Sequence, residues 1–150
     1  MKKFKFKLQV VLEKREKELQ DRQLELSQIQ LILNKQQAEL ERLINLQDTT
    51  KANLDSMLSS GENIDLMSVR IHQEYIDKLS GDIQNQHKII ADTQEALEEK
   101  QLEVVEAMKK AKMLEKLKEK HYRAFLAEFE AQNEKELEDV TSARFRLKAM

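Results

Sequence analysis

The sequence predicts an all-α fold, an antiparallel two-helix coiled-coil hairpin with unequal arms. Three observations lead there. The 150-residue chain has no proline and only two glycines, Gly61 and Gly81, so the strongest helix breaker is missing throughout. Apolar residues recur at heptad spacing in two separate blocks, the mark of a coiled-coil seam. The two blocks stand in mirrored phase about Gly61, as a chain that doubles back there requires.

The first helix is expected over residues of about 5–58. Its main column is Leu12, Leu19, Leu26, Leu33 and Leu40, broken at Gln47 and resumed at Leu54; an offset column holds Leu8, Ile29, Leu43 and Met57. A turn is expected at about 59–63, where Gly61 can adopt positive φ. Ser59 or Asn63 can cap the next helix, and Ser59-x-x-Glu62 reads as a capping box. The second helix is expected over about 64–146, with the column Val69, Ile76, Ile83, Ile90, Leu97, Val104 and Ala111. Gly81 within it costs about 1 kcal/mol.

Folding back at Gly61 pairs Met57 with Leu66, Leu54 with Val69, Leu40 with Ile83, Leu33 with Ile90, Leu26 with Leu97, Leu19 with Val104 and Leu12 with Ala111. The same register pairs Thr50 with Gln73, Gln36 with His87, Ile29 with Gln94, Arg22 with Gln101 and Arg15 with Met108. Such polar layers weaken the seam and penalise slipped registers. The arms come to ~80 Å and ~125 Å at 1.5 Å per residue. Residues 1–150 read as a single coiled-coil domain. Phe4, Phe6 and Leu8 are expected opposite residues 115–119, near Leu114 and Leu117, and beyond about residue 120 the second helix has no mate.

Composition narrows the function. With 26 basic and 28 acidic residues the net charge is −2, which favours neither nucleic acid nor a membrane. Cysteine is absent, so disulfides and thiol chemistry are excluded. No apolar run approaches the ~20 residues that insert directly into a membrane. The basic start, Met1 to Lys7, lacks a signal peptide's apolar core, and the expected compartment is the cytoplasm. No phosphate-binding loop or activated nucleophile is present. His72, His87 and His121 are too dispersed to share a metal, and His87 reads as a polar seam residue. The carboxylates lack a pocket that would shift their pKa values. The reading is of a binding protein, not an enzyme, with no cofactor and no metal.

The unpaired end carries Tyr122, Phe125, Leu126, Phe129, Leu137, Val140, Phe145 and Leu147; His121, Phe125 and Phe129 share one stripe at i, i+4, i+8. A lone helix does not present such a stripe to water. The N-terminal segment can fold over it, two molecules can pack tail to tail, or a partner can bury it. Basic residues Lys109, Lys110, Lys112, Lys116, Lys118 and Lys120 lie beside Lys2, Lys3, Lys5 and Lys7. Acidic residues Glu128, Glu130, Glu134, Glu136, Glu138 and Asp139 follow. These are either a solvated surface or a docking face that sets orientation and on-rate.

Three stretches carry a family resemblance. The opening Phe4-Lys5-Phe6-Lys7-Leu8, with Arg15-Glu16, resembles the aromatic-basic start of the FliJ family of flagellar type III export proteins. Lys112 to Lys120 resembles the family's basic LEKL stretch, and Asn133 to Phe145 resembles its C-terminal signature, with Glu138-Asp139 in place of Asp-Glu. The resemblance implies a stalk-like antiparallel coiled coil, monomeric alone, in flagellum biogenesis and motility. It implies three partners: a hexameric export ATPase, a membrane export-gate protein and export chaperones. It implies a cytoplasmic location, peripheral to the inner face of the membrane. The ATPase would be bound through Phe4, Phe6, Leu114, Leu117, Tyr122, Phe125, Phe129, Leu137 and Phe145. The gate would be bound through Glu39, Leu43, Leu46, Thr50, Tyr75, Leu79, Asp82 and Gln86, with Leu46 and Thr50 where relatives carry aromatics. Seam packing is the competing role for Leu43 and Leu79. Other readings are a virulence-type secretion or rotary-ATPase stalk, a self-assembling structural coiled coil, and a holdase chaperone.

Overall fold

The computed structural model describes residues 2–61 and 63–149. Among them the regular elements are two helices, α1 (Gln9–Ser59) and α2 (Leu66–Ala149). They pack against each other in opposite directions, as the cross-helix bonds Gln47–Ile76, Gln86–Gln36 and Lys100–Glu25 require. The chain divides into two compact units: Arg22–Val104, and Met1–Asp21 together with Val105–Met150.

In the unit Arg22–Val104 the core is one seam. Leu33, Leu43 and Leu54 of α1 are buried with Ile76, Leu79, Ile90 and Val104 of α2. The break at Gln47 is no gap: Gln47 is buried in the seam beside Thr50. Its Nε2 donates to the Ile76 carbonyl at 3.2 Å and to Ser80 Oγ at 2.7 Å. A buried amide needs such partners. Thr50 meets its own need by donating to the Leu46 carbonyl at 2.8 Å.

The expected companion layers are off by one residue on α2. Gln73, His87, Gln94 and Gln101 are exposed, whereas His72, Gln86, Thr93 and Lys100 are half-buried and Leu79 fully buried. Gln36 is met by Gln86, whose Nε2 donates to the Gln36 carbonyl at 2.9 Å, so His87 is not a seam residue. Arg22 reaches Glu103 at 3.5 Å instead of Gln101. Lys100 lies along the seam, only 19% exposed, and its Nζ donates to Glu25 at 2.7 Å and Glu103 at 2.8 Å. This is how a lysine buries its stem and keeps its charge at the rim.

The turn begins after Ser59, and Gly61 takes φ 69°, a left-handed conformation that glycine adopts freely. Neither Ser59 nor Asn63 caps α2. Ser59 is the last residue of α1, its Oγ donating back to the Asp55 carbonyl at 2.7 Å. Glu62, the other half of the expected capping box, lies outside the described residues. Asp65 is the cap: its Oδ1 accepts from the Met67 amide and its Oδ2 from Ser68 Oγ, both at 3.1 Å. Hence α2 starts at Leu66, two residues later than expected, and continues to Ala149.

In the unit Met1–Asp21 with Val105–Met150, Phe6, Leu12, Ala107 and Ala111 are buried. α1 starts at Gln9, not near residue 5. Residues 2–6 are without regular structure, and the Gln9 amide closes a turn on the Phe6 carbonyl at 3.1 Å. Among the described residues no helix is long and apolar enough to cross a membrane.

Candidate partner-docking surfaces

The start of the chain alternates lysine and phenylalanine from Lys3 to Lys7. That period of two suits an extended segment with one apolar side. Phe4 and Phe6 turn inward onto α2. Phe4 lies 5.2 Å from Tyr122, edge to face, and 5.6 Å from Phe125; Phe6 lies 5.7 Å from His121, and Phe125 stacks on Phe129 at 6.3 Å. Each aromatic pair in such geometry contributes about 0.5–1.5 kcal/mol beyond its buried area.

The N-terminal segment therefore covers part of the aromatic stripe, and it reaches further than expected. A helical start would have placed Phe4 opposite residue 119. An extended chain advances about 3.3 Å per residue against 1.5 Å in a helix, which carries Phe4 on to Tyr122 and Phe125. The alternation Lys3-Phe4-Lys5-Phe6-Lys7 was the available signal.

Coverage is incomplete. Phe4, Phe125 and Phe129 are half-buried, while Tyr122 and Leu126 remain exposed. Lys2, Lys3, Lys5 and Lys7 form, with His121, Phe125 and Glu128, a groove along the N-terminal segment, residues 2–8, which straps over α2. A second concavity runs from Phe4 and Tyr122 to Leu12 and Lys118. Leu114 and Leu117 are half-buried. Leu137 and Phe145 stand apart from the cluster, 67% and 75% exposed, and every described residue from 130 onward is exposed. The arrangement is an apolar patch with a basic rim, leading into an acidic helix.

The second set of expected site residues lies in the unit Arg22–Val104. Leu43, Thr50 and Leu79 are buried in the seam, Leu79 being 2% exposed, and Gln86 is spent on the Gln36 carbonyl. Tyr75 is exposed, and Glu39, Leu46 and Asp82 are half-buried. Glu39 is held by a two-point contact from Arg42, Nη2 to Oε1 at 2.7 Å and Nε to Oε2 at 2.9 Å. That hydrogen-bonded guanidinium keeps the Glu39 carboxyl below its usual pKa. This face offers one acid–base pair and a few apolar tips.

His72 Nδ1 donates to the Ser68 carbonyl, 2.7 Å away, and His121 packs on Phe6. Among the described residues no three His, Asp or Glu side chains are grouped to hold a metal ion.

Comparison with known proteins bears on the same residues. Residues 4–149 match the family described as flagellar FliJ protein. No curated protein and no solved structure gave a match. Because the match starts at Phe4 in the N-terminal strap, ends at the last residue of α2 and takes in the whole hairpin between, the chain belongs to the FliJ family and is a flagellar, export-related protein.

Proposed function

We propose that this chain is the stalk-like coiled coil of the export apparatus and acts by binding, not by catalysis. Its aromatic end binds the hexameric export ATPase. A surface in the unit Arg22–Val104 meets the membrane export gate at the inner face of the membrane, and export chaperones are handled on the same hairpin. The observation that supports this most is the aromatic patch around Tyr122, Phe125 and Phe129. It stays partly open after the strap has folded over it, and it continues into a helix whose described residues are all exposed beyond residue 130. Partly covered aromatic patches with a charged rim are the usual anatomy of a protein-binding site.

Truncation after Lys120 tests the ATPase assignment. The unit Arg22–Val104 keeps its own core, so helicity should persist while ATPase binding is lost. Undiminished ATPase binding would contradict the assignment. At the gate surface, Glu39, Leu46, Tyr75 and Asp82 make the contact and Leu43, Thr50, Leu79 and Gln86 hold the helices that present them. Tyr75→Ala should weaken gate binding by about tenfold with little loss of stability. Leu79→Ala should instead cost about 2–4 kcal/mol of stability, as removal of a buried leucine does. The pair is separated by measuring gate affinity and urea unfolding on both variants.

A further inference from the structure

The outward face of α2 carries a pattern that neither the seam nor the aromatic patch uses. Lys112, Lys116 and Lys120 stand at i, i+4, i+8 and form one row. Glu130, Glu134 and Glu138 repeat that row about five turns further on, at 3.6 residues per turn, and so lie on the same side of the helix. The inward side is marked by buried Ala111 and by half-buried Lys118 and Phe125; all six residues of the two rows are exposed. Among the described residues none of the six has an ion-pair partner. Like charges at i, i+4 repel, and among the described residues no ion pair relieves that repulsion.

A second copy laid antiparallel on this face offsets all of it. With the two-fold axis level with Phe125, Lys112 faces Glu138, Lys116 faces Glu134 and Lys120 faces Glu130. The axis makes each pair occur twice. Ala127 at the crossing lets the helices approach closely. Arg123 beside it is already neutralised by Glu119 at 2.5 Å, so no bare like charges meet at the axis. The same register sets Val105, 45% exposed, against Phe145, 75% exposed, at both ends. A parallel copy would set lysine on lysine.

We propose that two copies of this chain pair antiparallel through the back of α2, along the rows Lys112–Lys120 and Glu130–Glu138. Exposed ion pairs are individually weak and screened by salt. The pair is therefore a weak dimer in equilibrium with the single hairpin. Because it covers the tail of α2, it competes with docking at that end, and its test needs no ATPase.

The test is sedimentation equilibrium of the full chain over a range of protein concentrations at low and high salt, with charge-reversed variants. At low salt the wild type should show a monomer–dimer equilibrium that high salt shifts to monomer. Lys116→Glu and Glu134→Lys should each raise the dissociation constant at least about tenfold. Mixing the two variants, or combining both changes in one chain, should restore pairing, because opposite charges again face each other only in the antiparallel arrangement. Helicity by circular dichroism should be unchanged, since both side chains are exposed. A wild type that stays monomeric at low salt overturns the proposal. So does self-association indifferent to the single reversals, or not recovered in the double reversal.

Discussion

Gln47 shows how a single residue can look like a flaw in the sequence and be a structural part. It occupies a seam position where the column otherwise carries leucine, and it is buried with both its donor contacts made across to α2. The Ile76 carbonyl it meets also sits in α2's own helical ladder, so the bond fixes register more than it supplies energy. Gln47→Leu should leave stability within about 1 kcal/mol of the wild type, or raise it. Thermal unfolding checks this, and a large loss would show that the amide bonds carry stability. The charged group around Lys100 has a pH signature. Hydrogen bonds from Lys100, then Arg22, hold the Glu25 carboxyl below its usual pKa. Hydrogen bonds to Glu103, then Glu25, raise that of Lys100. Glu25's contribution is thus present above the ordinary glutamate value of 4.5 and fades as pH falls through its lowered folded pKa. The wild type should melt above Glu25→Gln at neutral pH, and the gap should close on acidification below that value. A gap that widens on acidification would reverse the assigned sign.

At the scale of the element, the two glycines have opposite roles. Gly61 holds φ 69° at the turn, while Gly81 sits inside α2 with open space where a Cβ would be. Gly81→Ala should stabilise by about 0.5–1 kcal/mol, and Gly61→Ala should destabilise by about 1–2 kcal/mol. Asp65→Ala should cost about 0.5–2 kcal/mol through the lost cap. Urea titration of the three variants measures all of them. The turn region was legible from Gly61, but its cap was not. Ser59, Asn63 and Asp65 are all competent caps, and which one serves depends on where the chain leaves the glycine. The start of α1 was not legible for a related reason: heptad phase extrapolates smoothly through Leu8, while the lysine–phenylalanine alternation that ends it is short.

At the scale of the molecule, the hairpin was legible because both main columns are apolar and mirror each other. Val69, Ile76, Ile83, Ile90, Leu97, Val104 and Ala111 are all buried or half-buried. The companion column was not legible on α2. At His72 or Gln73, Gln86 or His87, Thr93 or Gln94, and Lys100 or Gln101, both choices are polar, so hydrophobicity has nothing to select between. The expected docking residues divide along the same line. Phe4, Phe6, Tyr122, Phe125 and Phe129 converge, helped by the strap, whereas Leu43, Thr50 and Leu79 are taken up by the seam.

The docking end we propose is built jointly by the start of the chain and α2. A double-mutant cycle tests it most directly: affinity of the export ATPase for the wild type, Phe4→Ala, Phe125→Ala and the double variant. Residues that touch and act as one surface lose binding non-additively, with a coupling of about 0.5–3 kcal/mol. Both single variants should bind more weakly, and the double variant little more weakly than either. Wild-type affinity in both single variants, or losses that simply add, would contradict a docking end made of these two segments.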